Sequence, residues 1–175
     1  MKNILVCLLL FIANDVLAQA YDIRQIRMHF GEAIENGNKA NSLCKELKAF
    51  KNPDAIILAY LGMAQAVRAK FAWNPMSKLA YLKEGFVNVN KAIAKEPNNL
   101  EARFLRFSLG FHVPKFLGYS ESVIPDKNKI IAILEQNDRA SQLMGPKILE
   151  SMVKMMIDSK LCNTKEVGIL KKSLE

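Results

Sequence analysis

The side chains best suited to binding form a basic and aromatic set in the middle of the chain. Arg103 and Arg106 lie one helical turn apart on a strongly apolar segment. Two neighbouring guanidinium groups can grip a carboxylate or a phosphate through paired N–H donors. The preceding hairpin and the following loop add charge and aromatic contact area through Trp73, Lys78, Tyr81, Lys83 and Tyr119. We call these residues together the candidate binding set.

A structural role is the competing interpretation of the two arginines. Guanidinium groups on a crowded helix need counterparts, which Glu101, other local acids or the carbonyl groups of residues 113–119 could supply. The arginines would then hold that loop in place and bind no ligand. The sequence leaves both alternatives open.

Patterns typical of catalytic and nucleotide-binding sites are absent from the sequence. The two histidines, His29 and His112, have no serine, cysteine or carboxylate at a spacing that indicates a triad or a metal site. No phosphate-binding loop, dinucleotide-binding glycine motif, zinc-protease motif or nucleophile elbow occurs. We therefore predict a protein that is not an enzyme and that uses no cofactor or metal.

The amino-terminal segment has the features of a secretory signal peptide. A short basic start precedes a nearly unbroken apolar run over residues 4–13, and Ala18-Gln19-Ala20 matches the small-x-small pattern of a cleavage site. The run is shorter than the roughly 20 apolar residues that a membrane-spanning helix needs. The sequence therefore predicts a signal peptide over 1–20 and one domain over 21–175 without a transmembrane segment. Export to the periplasm or the cell exterior follows from that prediction.

Two cysteines, Cys44 and Cys162, would remain after cleavage, in a compartment that permits oxidation. A disulfide bond between them would join the two ends of the domain. The alternative is two separate buried thiols, because a helical core of this size seldom needs such a bond. Both alternatives stay open at the level of the sequence.

The chain is basic, with a formal net charge of +8. Removing the predicted signal peptide leaves this charge unchanged, because that segment holds one lysine and one aspartate. Excess positive charge favours acidic partners, including acidic proteins, anionic glycans and lipid head groups. The charges are spread along the chain, as in solvated helix faces. Nucleic acid is not a predicted partner, because no aromatic and basic ribbon is present.

Apolar residues recur at three- and four-residue intervals after residue 21, which is the pattern of amphipathic helices. Predicted boundaries fall at one glycine stop and three capping residues: Gly37, Asn52, Asn74 and Thr164. A fifth helix over 100–112 is apolar around most of its circumference and should be central. Residues 113–125 should form a loop whose apolar side chains fold back onto the helices. The predicted fold class is all-α, with eight helices paired as antiparallel hairpins and stacked as an array.

One string of residues resembles the junction between two tetratricopeptide repeats. Pro97-Asn98-Asn99-Leu100-Glu101-Ala102-Arg103-Phe104 resembles the proline that ends one repeat and the residues that start the next. Upstream, the small, large and small positions of the repeat's second helix are matched by Gly85, Val89 and Ala92. Leu61-Gly62 resembles the Leu-Gly pair of the first helix but lies about three helical turns too far from Pro97, so the resemblance implies long third and fourth helices.

The candidate binding set and its surroundings also resemble a family of exported bacterial proteins of unassigned function. Both resemblances imply a helical-hairpin array, and such arrays present extended surfaces for recognition. Our leading hypothesis from the sequence is therefore a non-enzymatic binding or scaffold module for a peptide or protein partner. The alternative hypothesis is a receptor for small anions, anionic glycans or lipid head groups, which would use Arg103, Arg106 and nearby lysines.

Overall fold

The structure is a computed structural model that describes residues 21–136 and 144–175. The predicted signal peptide lies outside these ranges. Within them the regular secondary structure is entirely helical, which confirms the predicted all-α class. The α-helices are α1 (Ile23–Glu35), α2 (Gly37–Lys48), α3 (Ala55–Phe71), α4 (Pro75–Lys95), α5 (Leu100–His112), α6 (Val123–Gln136), α7 (Pro146–Asp158) and α8 (Thr164–Lys172). Among the described residues, no helix is both long and apolar enough to cross a bilayer.

Asparagine side chains begin several of these helices. As predicted, Asn74 caps α4: its Oδ1 accepts the backbone N–H of Ser77 at 2.8 Å, and Pro75 occupies the first turn. Asn99 does the same for α5, accepting the N–H of Ala102 at 3.0 Å. Each such cap contributes about 1 kcal/mol, because it satisfies an N–H group that has no partner within the helix.

Two predicted boundaries were wrong by a few residues. Gly37 begins α2 and does not end α1, because the extended backbone of Asn36 ends α1 and the Asn36 side chain caps α2. Asp54, and not Asn52, caps α3, and its Oδ1 accepts the N–H of Ile57 at 3.0 Å. Asn52 lies two residues earlier, in the left-handed region with φ of 53°. In both places a nearby side chain with better access to the first turn takes the capping role.

The cap of α8 also differs from the prediction. Asn163 precedes Thr164 and accepts the backbone N–H of Glu166 at 3.0 Å. In return the Glu166 side chain accepts the Asn163 N–H at 2.8 Å, which completes a capping box. This reciprocal pair fixes the start of the last helix.

The connection between α5 and α6 is shorter and more ordered than the predicted loop over 113–125. It contains two short 3-10 turns, at Lys115–Leu117 and Tyr119–Ser122, and α6 already begins at Val123. Leu117 and Tyr119 pack against the core, as expected, whereas the side chain of Phe116 is 86% exposed. The prediction that the apolar residues of this connection fold back is therefore only partly correct.

Helices α3 and α4 approach each other closely through two glycines. A Cβ atom added at Gly62 would lie 2.6 Å from the carbonyl oxygen of Gly85, and one added at Gly85 would lie 2.6 Å from that of Gly62. Two helix backbones can come this close only where neither residue has a side chain. Gly85 therefore allows α4 to approach α3 closely. The two helices are long, with 17 residues in α3 and 21 in α4.

Two clusters of buried side chains form the core, and α5 contributes to both. The first cluster lies among α1 to α4 and receives Ala102, Leu105 and Leu109 from α5. The second lies among α6, α7 and α8 and receives Leu100, Phe104 and Phe107 from α5. The predicted central position of α5 is confirmed, because two of its sides are covered by different helices.

Candidate functional site

Arg103 and Arg106 converge on one buried carboxylate, that of Asp126 in α6. Nη1 of Arg103 donates to Oδ1 of Asp126 at 2.8 Å. Arg106 donates through Nε to Oδ2 and through Nη2 to Oδ1, both at 2.7 Å. Asp126 has no exposed surface, and the two arginine side chains are mostly buried. A carboxylate in the interior stays ionised only with donors such as these around it.

Further donors of these two arginines are also taken up within the chain. Nε of Arg103 donates to the carbonyl oxygen of Pro97 at 2.9 Å, and Nη1 of Arg106 donates to Oδ1 of Asn90 at 2.9 Å. The structure thus has the second of the two sequence-based alternatives, an internal ion-pair network. The acid is Asp126 and not Glu101, and the carbonyl belongs to Pro97 and not to residues 113–119. The network ties α5 to α6 and to the turn before α5.

Glu101 belongs to a second buried network, which sequence reasoning missed. Arg27 donates through Nε to Oε1 at 2.9 Å and through Nη2 to Oε2 at 2.5 Å, and the Tyr60 hydroxyl donates to Oε1 at 2.5 Å. Burial and the neighbouring Glu101 carboxylate raise the pKa of the Tyr60 phenol, which therefore remains a protonated donor. The partners lie 74 and 41 residues from Glu101 along the chain. No local motif could have paired them.

Trp73 and Tyr81 lie at the end of the α3–α4 hairpin, together with an arginine that is not in the candidate binding set. The guanidinium carbon of Arg68 lies 3.9 Å from the centroid of the Tyr81 ring. Arg68, Trp73 and Tyr81 line a small cavity of about 160 Å³, which we call the hairpin-tip cavity; Asn41 and Ser77 also line it. Trp73 is 97% exposed, so no described residue covers its ring.

The other members of the candidate binding set, Lys78, Lys83 and Tyr119, belong neither to the ion-pair network around Asp126 nor to the hairpin-tip cavity. Lys78 and Lys83 are exposed on α4. Tyr119 stacks on Phe86 with ring centroids 4.0 Å apart, and it packs against the first core cluster. The structure therefore distributes the set over several places and does not gather it into one site, because α4 carries its members along more than one face.

Both cysteines are free thiols in the structure. Cys44 is buried in the first core cluster, whereas Cys162 is partly buried against the second. The disulfide alternative is thus not found, because the two residues belong to different clusters. Burial raises the pKa of both thiols. They are protonated at neutral pH and are weak nucleophiles.

The two histidines lie at the surface, His112 exposed and His29 partly exposed. Nδ1 of His29 lies 3.3 Å from Oε2 of Glu46, and Nδ1 of His112 lies 2.8 Å from the carbonyl oxygen of Ser108. Within the two described ranges, no three His, Cys, Asp or Glu side chains are grouped so that they could hold a metal ion.

A wide groove opens beside the Glu101 network, with a volume of about 1070 Å³. We call it the α1–α6 groove, because these two helices and the turn between α4 and α5 form its walls. Among the described residues, its apolar lining includes Ile23, Ile56, Leu100, Ile133 and Met144, the first residue of the second described range. The charged residues that line it within the described ranges are Arg27, Glu96, Glu101 and Lys129. Sequence reasoning missed this groove because its walls come from separate segments that only the tertiary fold brings together.

The fold and these sites define the class only as an all-α protein with a mixed apolar and charged groove. Comparison of the chain with protein-family models, with curated proteins and with solved structures found no match. Function therefore has to be argued from the geometry of the sites.

Proposed function

We propose that this protein is a non-enzymatic binding module that recognises a peptide segment of a partner protein in the α1–α6 groove. The observation that supports this function is the groove itself. Its volume of about 1070 Å³ lies just above the range of roughly 300–1,000 Å³ that is typical of sites for small ligands. A short peptide segment fits a space of this size.

The lining of the groove suits a peptide because it alternates between apolar walls and polar groups. Ile23, Ile56 and Ile133 offer apolar surface to side chains of the ligand. Asn98, in the turn before α5, brings an amide group that can pair with an extended backbone. Apolar side chains would supply the binding energy, and the amide would help to set the register of the peptide.

Lys129 indicates the charge of the partner. It lines the groove, and no carboxylate lies at salt-bridge distance from it among the described residues. The net charge of the chain, +8, has the same sign. Electrostatic complementarity favours an acidic segment, whose carboxylate would pair with Lys129 and whose approach the net charge would accelerate.

The anion-receptor alternative depended on Arg103 and Arg106 as donors. Their guanidinium groups hold Asp126, and further donors bind Asn90 and the carbonyl of Pro97. An external anion would have to displace a buried carboxylate from two arginines, at a cost of several kcal/mol. This is why we place recognition in the groove and not at the two arginines.

We also propose that the protein is a tetratricopeptide-like array and that it acts outside the cytoplasm. A tetratricopeptide-like array accounts for the string over 97–104 and for the small residues where α3 and α4 cross. The signal-like segment over 1–20 supports a location outside the cytoplasm, in the periplasm or beyond the cell.

Photo-crosslinking tests the proposed function directly. Ile133 lines the groove, whereas Ile124 lies on the same helix with its side chain 47% exposed and outside the groove. Benzoylphenylalanine replaces each in turn, and mass spectrometry identifies the crosslinked segments. We expect an acidic segment to be captured at position 133 and not at position 124. Equal capture at both positions would count against the groove.

A synthetic copy of the captured segment then gives the affinity. We expect Lys129→Glu to weaken its binding at least tenfold, and Lys91→Glu on the exposed face of α4 to leave it unchanged. Equal affinities of the two variants would show that the segment does not lie along the α1–α6 groove.

A further inference from the structure

Arg68 differs from the other arginines of the described chain in having no acidic partner. Each of the others lies within 3.1 Å of a carboxylate oxygen: Arg24, Arg27, Arg103 and Arg106. Arg68 is half-buried, has no salt bridge within residues 21–136 and 144–175, and carries a buried Nε without a hydrogen-bond partner. An uncompensated guanidinium in such a place is unfavourable unless something outside the chain pairs with it.

The groups that contact Arg68 do not neutralise its charge. The Tyr81 ring offers only its π face, 3.9 Å from the guanidinium carbon. Burial raises the pKa of the Cys44 thiol, although Arg68 beside it acts in the opposite direction, so the sulfur is uncharged. The Glu84 carboxylate is not at salt-bridge distance from Arg68; it accepts a hydrogen bond from Nε2 of Gln65 at 3.2 Å. Among the described residues, no carboxylate therefore pairs with the positive charge of Arg68.

Among the described residues, the charged side chain that lines the hairpin-tip cavity is the cation Arg68. The amino-terminal halves of two helices line it, with Gly37 and Asn41 from α2 and Ser77 and Tyr81 from α4. Helix amino termini carry a partial positive charge of roughly half a unit each, and Asn41 and Ser77 add amide and hydroxyl donors. The carboxyl end of α3 brings the opposite partial charge, which Arg68 and Lys70 in its last turn offset. No acidic residue is among the described residues that line the cavity.

The rim of the cavity is apolar and aromatic. Phe71 and Trp73 line it, and both are exposed, Trp73 almost completely. The volume of about 160 Å³ corresponds to roughly five water molecules at about 30 Å³ each. A ligand that fills it is small, with an anionic group toward Arg68 and an apolar group toward the rim. The planar guanidinium matches a carboxylate in shape as well as in charge.

We propose that the hairpin-tip cavity binds a small organic carboxylate that carries an apolar group. Arg68 pairs with the carboxylate, Asn41 and Ser77 donate further hydrogen bonds, and Trp73 covers the apolar group. The carboxylate belongs either to a free acid or to the carboxyl terminus of a peptide. This site is separate from the α1–α6 groove, and it stands whether or not a partner binds there.

The single tryptophan of the chain makes the binding measurable, since Trp73 lies on the rim and its fluorescence reports on the cavity alone. Five probes are titrated into the purified protein: phenylacetate, its uncharged match phenylacetamide, inorganic phosphate, and a tripeptide ending in phenylalanine, once with a free and once with an amidated carboxyl terminus. We expect a saturable change with phenylacetate, with the free-carboxyl peptide or with both. Phenylacetamide, the amidated peptide and phosphate should bind at least tenfold more weakly.

The relative affinities of the probes show whether the cavity binds a carboxylate and whether that carboxylate belongs to a free acid or to a peptide terminus. Phenylacetate binding more tightly than the peptide assigns a free acid, and the reverse order assigns a peptide terminus. Equal binding of acid and amide overturns the proposal, because the carboxylate would then contribute nothing. Tighter binding of phosphate, or no saturable change with either carboxylate, also overturns it.

Substitution of Arg68 provides the second arm of the test. Arg68→Gln should weaken phenylacetate or peptide binding at least tenfold, and Arg68→Lys should give an intermediate loss because it keeps the charge without the planar fork. Arg24→Gln, at an exposed arginine of α1, serves as the matched control and should bind as the parent does. Unchanged affinity in Arg68→Gln overturns the assignment. If circular dichroism shows that this variant does not fold, Arg68→Lys and the comparison of acid with amide decide the question.

Discussion

Half-buried arginines occur in two regions of this protein, and their surroundings differ in kind. At the α5–α6 contact, two guanidinium groups enclose the fully buried carboxylate of Asp126 with hydrogen bonds of 2.7–2.8 Å. At the end of the α3–α4 hairpin, Arg68 faces an aromatic ring, a neutral thiol and an open cavity. The first region is complete without a ligand, whereas the second has a charge without a counterpart. A partly buried arginine therefore indicates a binding site when no carboxylate of the protein pairs with it.

Removing the shared carboxylate should have the largest effect on stability. Asp126→Asn leaves Arg103 and Arg106 half-buried without an anion, and we expect it to lower the free energy of unfolding by about 3–5 kcal/mol. Urea denaturation followed by circular dichroism measures the loss. Asp22→Asn is the matched control, because Asp22 pairs with Arg24 at the surface and asparagine can still cap α1. A similar loss in both variants would contradict the structural role of Asp126.

Equivalent substitutions of one arginine from each region should affect the stability of the protein differently. Arg106→Met deprives Asp126 of two donors and should cost about 2–4 kcal/mol of unfolding free energy. Arg68→Met removes a charge that has no counterpart and should leave the ligand-free protein equally stable or more stable. Thermal unfolding without added carboxylate compares the two variants. A loss in Arg68→Met as large as that in Arg106→Met would contradict the inference that Arg68 has no structural counterpart.

Replacing Tyr60 or Tyr81 by phenylalanine tests neutral donors in the same way, because only the Tyr60 hydroxyl donates to a buried carboxylate. Tyr60→Phe removes a hydroxyl that donates to the buried Glu101 carboxylate, and we expect a loss of about 1.5–3 kcal/mol, as for hydrogen bonds to charged groups. Tyr81→Phe keeps the ring under Arg68 and removes a hydroxyl that makes no hydrogen bond within the described residues. It should change the urea midpoint little. Equal midpoints in the two variants would argue against a strong bond between Tyr60 and Glu101.

The smallest expected effect is a pH dependence at the contact between α6 and α8. The hydrogen bond from Lys127 lowers the pKa of Glu166 below its ordinary value of 4.5. Since the folded-state pKa is the lower one, the contribution of this pair is fully present above pH 4.5 and is lost as pH falls through the folded-state value. Glu166→Gln should flatten the acid side of the stability profile, while glutamine still completes the capping box. Glu150→Gln, at an exposed position of α7, is the control and should keep the parent's profile.

The local features of this fold could be predicted from the sequence because their causes lie within a few residues. Asn74 and Asn99 accept N–H groups three residues ahead, so the asparagine itself marks the helix start. The central position of α5 could be predicted because apolar side chains surround it. Gly37 was misplaced because Asn36, one residue earlier, ends one helix and begins the next. Such competition between neighbours shifts a boundary without changing the fold.

The sites could be predicted less well because they depend on distant partners. Arg103 and Arg106 were correctly singled out as arginines that need counterparts, yet Asp126 lies 23 and 20 residues away and meets them only where α6 packs on α5. Arg68 sits in an apolar helix without any motif around it. Arg68 stands out because no described carboxylate pairs with it, and this can be recognised only when the positions of the neighbouring helices are known. The α1–α6 groove has the same origin, since no single segment forms it.

Because α5 contributes side chains to both core clusters, we expect the two clusters to depend on each other for stability. A fragment ending at residue 112 would leave Phe104 and Phe107 facing water, because the helices that cover them come later in the chain. A fragment starting at residue 113 would lack those rings as one wall of its own interior. Neither piece should persist alone, and heating should melt both clusters in a single cooperative transition. A partner captured at one end of the molecule would therefore protect the other end against unfolding, even without any change of shape between them.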